Sequence, residues 1–326
     1  MVEMSKTLKL FSGRSNPKLA KEIANYIGAE LGNVMLTTFA NGEIYARYRE
    51  SVRGCDVFIV QAVAGSGAVN DNLMELLIMA DAAKRASART VTAVITHYGY
   101  SRQDKKSAAR EPITAKLVAN MISVSGVDRI IAIDLHQGQI QGFFDIPVNH
   151  LTALPLFADY FSQHFANHGV ADICVVSPDV GRAKAARKLA DLLDADLAIM
   201  SKSRPAHNVS EITTVIGDVA GKVCIINDDM IDTGGSVVHG AAALKKAGAE
   251  AIYVCATHGL FSGDAFERLQ NAGLEEVVVG DTVAVPKDFM KGNVRVVQLA
   301  PLIGRAVLNV FNEASISELF DPEFQI

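Results

Sequence analysis

The segment VCIINDDMIDTGGS, from Val223 to Ser236, combines residue types that could hold a phosphorylated sugar. An apolar run typical of a buried parallel strand ends in three carboxylates and a Thr-Gly-Gly-Ser turn, after which apolar residues recur at helical spacing. Backbone N–H groups and hydroxyls at the start of a helix can wrap a phosphate. Carboxylates repel phosphate, but they can hold sugar hydroxyls or a cation beside it. The predicted site consists of Asp228, Asp229, Asp232, Thr233, Gly234, Gly235 and Ser236.

Polar residues also follow three other apolar runs. Arg102, Gln103 and Asp104 come after one of them and offer groups suited to a polyphosphate or a base, although a solvated basic turn is the alternative. His136 and Asp179 follow the other two. Because the carboxyl ends of parallel strands meet at one edge of a sheet, these chain segments could converge on one cleft.

Asp179 and His136 are candidates for a Mg²⁺ site. Asp179 is a hard oxygen ligand, and N-capping of the following helix is a competing role that the same residue could also fill. A lone histidine is more often structural and Mg²⁺ ordinarily prefers oxygen, but the position of His136 at a strand end favours a role in the site.

Lys202 and Arg204 follow a further apolar run and precede a proline, which predicts a loop. Cations in loops usually just face solvent. If this loop closes over a polyphosphate, however, the two side chains would neutralise the charge that develops on the transferring and leaving oxygens. The pair is therefore the candidate for transition-state stabilisation.

The composition is that of a folded globular protein. The chain has 326 residues, of which 49% are hydrophobic and 21% charged, and this length suits two domains. A net charge of −5 argues against a general nucleic-acid binder. Cys174, Cys224 and Cys255 lie inside apolar runs without metal-ligand spacing, so we expect buried free thiols. Without a signal sequence or a bilayer-spanning run, we expect a cytoplasmic protein with no membrane partner.

Short apolar runs alternate with amphipathic helical patterns along the chain, which is typical of parallel α/β architecture. Proline and polar residues in the segment DIPVNHL, from Asp145 to Leu151, favour a boundary between two series of strand-helix units of similar size. We expect an N-terminal domain at 1–148, a C-terminal domain at 149–312, and a tail at 313–326 that packs back on the first domain.

The chain resembles the class I ribose-phosphate pyrophosphokinases over nearly its whole length. Its acidic loop is similar to the loop that this family shares with phosphoribosyltransferases. The other matching motifs follow the family's order and are FANGEI, ESVRG, NDNLMELLIM, YSRQDKK, PITAKLVANMIS, DLHQGQIQGFFDIPV and SPDVG, beginning at Phe39, Glu50, Asn70, Tyr100, Pro112, Asp134 and Ser177. The resemblance implies an α/β fold with two similar doubly wound domains of the phosphoribosyltransferase type, each with a mostly parallel central sheet.

The resemblance also implies an activity: transfer of the β,γ-pyrophosphoryl group of ATP to the anomeric hydroxyl of ribose 5-phosphate. The N-terminal domain would bind ATP and the C-terminal domain ribose 5-phosphate, with two Mg²⁺ ions per site serving the substrates. ATP would contact Phe39, Asn41 and Glu43 of a neighbouring subunit and Arg102, Gln103 and Asp104. His136 and Asp179 would serve the metal-ATP, Asp228 and Asp229 the ribose hydroxyls, Asp232 to Ser236 the 5-phosphate, and Lys202 and Arg204 the transition state.

The family is typically a homohexamer, activated by phosphate and inhibited by ADP. Its regulatory anion site is matched here by Ser51, Arg53, Arg110, Ser315 and Ser317, whereas Ala108 and Ala109 replace arginine and serine that bacterial relatives often carry. This departure predicts phosphate activation that is weakened but present. Arg182 stands where many members have a second glycine, and it could reach the substrate or cap a helix.

Two rival interpretations stay open at this point. A phosphoribosyltransferase would use the same acidic loop, but it consumes phosphoribosyl pyrophosphate and would not need an ATP site. A catalytically silent regulatory paralogue could lose active residues freely, whereas this chain retains Lys202, Arg204, His136 and Asp179 together with the intact acidic loop. The FANGEI and RQDKK segments of the N-terminal domain favour the pyrophosphokinase over the transferase.

Overall fold

A computed structural model describes residues 6–65, 68–170, 172–203 and 212–319. The chain divides into two compact units. The first contains Met1–Thr152, Thr282–Ala284 and Leu299–Ile326, and the second contains Ala153–Asp281 and Val285–Gln298.

The first unit contains a five-stranded sheet in which every neighbouring pair is parallel. Its strands, in spatial order, are β1 (Leu8–Ser12), β4 (Asp56–Ala62), β5 (Thr90–His97), β6 (Arg129–Ile133) and β7 (Val148–Leu151). A separate antiparallel hairpin consists of β2 (Val34–Thr38) and β3 (Ile44–Tyr48). The helices are α1 (Pro17–Ile27), α2 (Val69–Arg85), α3 (Thr114–Val124) and α8 (Ala300–Phe311).

The first unit's core explains why its central strands are apolar runs rather than alternating patterns. All seven residues of β4 are buried, as expected for a strand covered on both faces. Alternate residues of the sheet, such as Val57 and Ile59, pack in one cluster with Leu76 of α2 and Val118 of α3. Helices α1 and α8 pack against each other in the same unit.

The second unit contains a seven-stranded sheet that is parallel except at one edge. Its strands, in spatial order, are β10 (Ile212–Ile216), β9 (Asp196–Ser203), β8 (Ile173–Ser177), β11 (Val223–Ile231), β12 (Ala251–Gly259), β13 (Val277–Gly280) and β14 (Val294–Val297). Only β10 runs antiparallel to its neighbour among these described strands. The helices are α4 (Leu154–His168), α5 (Ala183–Leu193), α6 (Gly235–Lys246) and α7 (Ala265–Gln270).

Helices cover both faces of the second sheet. On one face, Val237 and Leu244 of α6 pack in a cluster with Ile226 and Val254 of the central strands. On the other face, an aromatic cluster joins Phe161 of α4 to Tyr253 of β12, with ring centroids 6.0 Å apart. The expected α/β fold with mostly parallel central sheets is thereby confirmed.

The unit boundaries differ from those expected from the sequence. Strand β7 pairs with β6 from Ile130↔Val148 to Ile133↔Leu151, so the first sheet continues past residue 148 and the first segment ends at Thr152. Helix α8 was expected in the C-terminal domain, but it packs on α1 and belongs to the first unit. The chain therefore returns to the first unit at Leu299 rather than at residue 313.

The four cysteines are free thiols, and all of them are buried. They are Cys55, Cys174, Cys224 and Cys255. In the part of the chain that the structure describes, no helix has both the length and the apolar character needed to cross a bilayer.

Truncating the core of the first unit should destabilise the protein. Leu76 is fully buried, so Leu76→Ala should lower the free energy of unfolding by about 2–5 kcal/mol through lost burial and a residual cavity. Leu117 on α3 is 54% exposed, and Leu117→Ala should change it by less than about 0.5 kcal/mol. Urea unfolding followed by circular dichroism measures both, and equal losses in the two variants would contradict the assigned core.

Candidate active site

The carboxyl ends of three adjacent strands in the second unit carry several of the predicted site residues. Strands β9, β8 and β11 are neighbours and run parallel. Lys202 lies near the end of β9, Asp179 follows β8, and Asp228 and Asp229 lie near the end of β11. The parallel pairing therefore brings residues separated by more than twenty positions in sequence to one edge of the sheet.

Strand β11 extends farther than the apolar run indicated. It continues to Ile231 because Met230 and Ile231 pair with His258 and Gly259 of β12, so Asp228 and Asp229 lie in the strand and not in a loop. The expectation that the apolar run ends in an acidic loop is corrected accordingly. The strand backbone thus fixes the positions of both carboxylates.

Asp228 and Asp229 form a closely spaced pair of carboxylates. Their side chains are 18% and 2% exposed. Burial and the neighbouring Asp229 carboxylate raise the pKa of Asp228 to about 7, although the Arg182 guanidinium opposes this shift. The Asp228 carboxylate also accepts a hydrogen bond of 2.8 Å from the Asp229 backbone N–H. A partner that donates hydrogen bonds or carries positive charge would stabilise the ionised form of this pair.

The turn after β11 contains the residues predicted to bind an anion. Gly234 has a φ of 75° and forms the N-cap of α6, which begins at Gly235. Thr233 and Ser236 are exposed, and the backbone oxygen of Asp232 accepts a hydrogen bond of 2.9 Å from Ser262 N–H. This bond anchors the turn, and Thr233 and Ser236 lie at the surface of this unit beside the start of α6, where a phosphate could bind.

Asp179 caps a short helical turn. Its carboxylate accepts a hydrogen bond of 3.0 Å from the Arg182 backbone N–H, and it precedes a 3-10 helix that spans Val180–Arg182. The competing N-cap role is thus present in the structure. Because the side chain of Asp179 is exposed, a carboxylate oxygen can still reach a ligand at the same edge.

Lys202 was expected in a loop, but the structure places its backbone in β9, paired with Thr213 of β10. The antiparallel partner strand provides hydrogen bonds that extend β9 to Ser203, which the sequence pattern did not indicate. Arg204 lies outside the described residues. The strand assignment keeps Lys202 at the carboxyl edge shared with Asp179 and the carboxylate pair.

In the first unit, the loop after β5 carries the predicted ATP residues. Arg102 and Gln103 are exposed, whereas Asp104 is buried with 8% exposure. Gln139, which sequence reasoning did not single out, donates a 3.2 Å hydrogen bond to Asp104, and this contact joins the loops after β5 and β6. Gln103 accepts a hydrogen bond of 2.5 Å from the Thr114 hydroxyl at the start of α3. Gln103 and Asp104 of the predicted site therefore also hold the loop after β5 in place.

His136 follows β6 at the same edge of the first sheet and is half-buried. Asp134, which immediately follows the strand, has a left-handed φ of 37° and donates its backbone N–H to the Leu151 oxygen at 2.9 Å. This bond anchors the start of the loop against β7. His136 lies in the first unit and Asp179 in the second.

The motif residues Phe39, Asn41 and Glu43 lie at the tip of the β2–β3 hairpin. Phe39 is 52% exposed, and its ring centroid lies 5.7 Å from that of Tyr45. The tip is closed by a 2.8 Å hydrogen bond from Phe39 N–H to the Glu43 oxygen and by a 3.2 Å bond from Glu43 N–H to the Asn41 side chain. A large exposed aromatic ring at a hydrogen-bonded hairpin tip is suited to stacking on a planar ligand.

The predicted regulatory residues occupy several segments of the first unit. Ser51 and Arg53 lie in the turn that enters β4, at the opposite edge of the sheet from Arg102 and His136. Arg53 donates a hydrogen bond of 3.3 Å to the hydroxyl of Ser87, a residue for which the sequence offered no signal. Exposed Arg110 and the hydrogen-bonded pair Ser315 and Ser317, with hydroxyls 3.1 Å apart, complete the predicted set.

The carboxylates at the predicted site suit Mg²⁺ that is bound by the protein together with a substrate, not by the protein alone. The described residues contain no group of three His, Cys, Asp or Glu side chains that could enclose a metal ion. Mg²⁺ usually keeps several waters and binds proteins through one or two carboxylates together with substrate phosphates. The exposed Asp179 carboxylate fits that mode of binding.

The comparisons with known proteins cover nearly the whole chain. Residues 8–126 match the model for the N-terminal domain of ribose phosphate pyrophosphokinase, and residues 195–321 match the phosphoribosyl synthetase-associated domain. A ribose-phosphate pyrophosphokinase of Clostridium perfringens is 49% identical, over 98% of this chain and 99% of the relative. One from Bacillus cereus is 48% identical, over 98% of each chain.

A solved structure agrees with these relatives. The phosphoribosylpyrophosphate synthetase of Mycobacterium smegmatis superimposes with a TM-score of 0.89 and 43% sequence identity. The match covers 95% of this chain and the whole of that protein. The similarity therefore includes both units and not only the acidic loop.

The glycines of the turn should differ in their tolerance of a side chain. Gly234→Ala should cost about 1 kcal/mol or more, because φ is 75° and the new Cβ would lie 3.3 Å from Leu269 Cγ. Gly235→Ala should leave stability unchanged or slightly raised, since its Cβ would meet only Thr233 Oγ1, at 3.8 Å. Thermal unfolding midpoints distinguish the two, and a Gly234→Ala protein as stable as wild type would refute the assigned turn geometry.

Proposed function

The chain belongs to the ribose-phosphate pyrophosphokinase family and makes phosphoribosyl pyrophosphate, and we propose that residues of both units carry out this reaction. The observation that most strongly supports this function is the 49% identity to a ribose-phosphate pyrophosphokinase over 98% of the chain. In the reaction, the anomeric oxygen of ribose 5-phosphate attacks the β-phosphorus of ATP. The bond from that phosphorus to the oxygen bridging to the α-phosphorus breaks, and AMP leaves.

In this proposal the second unit binds ribose 5-phosphate. The 5-phosphate lies against the turn from Asp232 to Ser236, where backbone N–H groups of α6 and the hydroxyls of Thr233 and Ser236 donate to its oxygens. Asp228 and Asp229 accept hydrogen bonds from the ribose hydroxyls. The turn and the strand end thus supply donors for the anion and acceptors for the sugar, which are the two halves of this substrate.

The first unit binds ATP in the same proposal. Arg102 and Gln103 are exposed on the loop after β5 and can contact the phosphates, while Asp104 is held by Gln139. The exposed ring of Phe39 stacks on the adenine of an ATP bound to a neighbouring subunit, and Asn41 and Glu43 contact the edge of the base. The exposure of this ring at the tip of the β2–β3 hairpin supports a role at a neighbouring subunit's site.

Lys202 and Arg204 are proposed to stabilise the transition state, because positioning and charge neutralisation provide most of the catalysis in phosphoryl-type transfers. His136 and Asp179 are proposed to contact Mg²⁺ bound to ATP. Mg²⁺, when bound, neutralises the polyphosphate charge and orients the β- and γ-phosphates. The protein's own part is to hold the anomeric hydroxyl in line with the β-phosphorus and to offset the charge on the departing AMP.

Assembly, regulation and location are proposed on the same basis. We infer a homohexamer, with phosphate as activator and ADP as inhibitor acting through Ser51, Arg53, Arg110, Ser315 and Ser317. A cytoplasmic location is supported by the four free, buried thiols, since reduced cysteines are usual in that compartment.

The rival functions are disfavoured for different reasons. A phosphoribosyltransferase would have no use for the domain matched at residues 8–126, and the full-length relatives are pyrophosphokinases. A silent paralogue is opposed by the presence of the carboxylate pair, the anion-binding turn and Lys202 at one edge of a sheet.

The function is tested by measuring AMP and phosphoribosyl pyrophosphate formed from Mg²⁺, ATP and ribose 5-phosphate. AMP should appear only when ribose 5-phosphate is present, and Lys202→Ala should lower kcat by about 10²–10³ because it removes one charge-stabilising group. Lys291→Ala provides a matched control, since Lys291 is 77% exposed and pairs only with Asp288 at 2.6 Å among the described residues. A wild-type protein inactive in this assay would favour the silent paralogue.

Regulation is tested by the dependence of the initial rate on inorganic phosphate. We expect a modest activation, because Arg53 and its partner Ser87 are present while Ala108 and Ala109 lack polar side chains. Arg53→Ala should flatten the curve, since it removes the guanidinium from the anion site. A wild-type rate that does not change with phosphate concentration would contradict the proposed regulatory site.

A further inference from the structure

Arg182 occupies an unexpected position beside the two carboxylates of the proposed ribose site. Its Nε lies 3.9 Å from Oδ1 of Asp228 and 3.9 Å from Oδ1 of Asp229. We propose that Arg182 is the resident cation of this carboxylate pair and a positioning residue for ribose 5-phosphate, so that the sugar binds without a divalent cation bridging the two carboxylates. The inference rests on the proposed function of the pair as the ribose-binding group.

The side chain of Arg182 points inward rather than into solvent. Only 16% of it is exposed, and its Nε is buried without a hydrogen-bond partner. Most buried polar atoms in folded proteins have a partner, so a buried guanidinium N–H with none needs an explanation. A ligand that arrives at the carboxylate pair would supply the missing acceptor.

The distances leave a place for a ribose hydroxyl. Contacts of 3.9 Å exceed the 2.7–3.2 Å typical of N–H···O hydrogen bonds, so Arg182 attracts the carboxylates without bonding to them directly. A hydroxyl group both donates and accepts. One ribose hydroxyl can therefore accept from Nε–H while it donates to Asp228 or Asp229, which would satisfy the unpaired donor and position the sugar.

The local fold fixes Arg182 in this position. Its backbone N–H donates to the Asp179 carboxylate at 3.0 Å, and Arg182 is the last residue of the 3-10 turn and the N-cap of α5. Strand β8, which leads into this turn, is paired with β11, the strand that carries the carboxylates. The guanidinium and the carboxylates are thus presented by adjacent strands of one sheet.

The consequence concerns the role of metal ions at this site. Two nearly buried carboxylates, side by side, normally require a nearby cation to stay ionised. Arg182 provides one positive charge within reach of both. A divalent cation at the same pair would then be repelled by the guanidinium, so ribose 5-phosphate alone should need no Mg²⁺ to bind the second unit, whereas Mg²⁺ is still needed with ATP.

Calorimetric titration of the full-length protein with ribose 5-phosphate, without ATP, tests the proposal. Wild type should bind equally well, within about threefold in Kd, in EDTA and in Mg²⁺. Arg182→Ala should bind at least about tenfold more weakly in EDTA, since it removes a charge-assisted hydrogen bond. Added Mg²⁺ should restore part of that affinity, and Arg182→Lys should fall between wild type and Arg182→Ala.

Arg187→Ala is the matched control. It removes another arginine of the same segment, one that lies on α5 and faces Asp191 at 3.8 Å with 55% of its side chain exposed. It should bind ribose 5-phosphate as wild type does in both buffers. Thermal unfolding of each variant checks that a weaker Kd is not caused by loss of the fold.

Two results would overturn the inference. One is a wild-type protein that binds ribose 5-phosphate only when Mg²⁺ is present. The other is an Arg182→Ala protein whose Kd in EDTA equals that of wild type. In either case, the proposed function still holds if wild type forms AMP and phosphoribosyl pyrophosphate. A wild-type protein that is inactive and also fails to bind ribose 5-phosphate would contradict the proposed function.

Discussion

The parallel pairing of strands is the constraint on which the rest of this structure depends. Parallel strands are buried on both faces and must be connected by crossovers, so each strand is largely an apolar run and its polar residues gather at or near its ends. In the second unit this rule places Lys202, Asp179 and the Asp228–Asp229 pair at one edge. In the first unit it places the Arg102–Asp104 loop and His136 at the corresponding edge of the other sheet.

Electrostatic compensation is the second constraint, and it acts locally. The chain as a whole is acidic, with a net charge of −5, so affinity for a phosphorylated substrate must come from particular groups. Backbone N–H groups at the start of α6 are suited to an anion, and the Arg182 guanidinium lies 3.9 Å from both carboxylates of the Asp228–Asp229 pair. Asp179 takes part indirectly, because it holds the turn from which Arg182 extends.

The sequence did not predict where some strands end, because pairing with a neighbouring strand determines the end of a strand. Strand β11 continues through both carboxylates since β12 offers hydrogen-bonding partners as far as Gly259. Lys202 is in a strand because β10 folds back on β9, although a nearby proline suggested a loop. Helix α8 was placed in the wrong unit for a similar reason, since its packing on α1 depends on an interface that amphipathic spacing cannot identify. Ser87 and Gln139 were missed because their contacts, with Arg53 and Asp104, join segments distant in sequence.

The sequence by itself determined the α/β class, the family and the residue types of the acidic turn. These properties are local, because apolar runs, helical spacing and short motifs depend on neighbours along the chain. Only the tertiary structure decided which strand ends lie side by side and at which residues the chain passes from one unit to the other. It also decided that Arg182 lies 3.9 Å from both Asp228 and Asp229. The physical reason is that these relations depend on strand order and on burial, which arise from contacts between segments far apart in the chain.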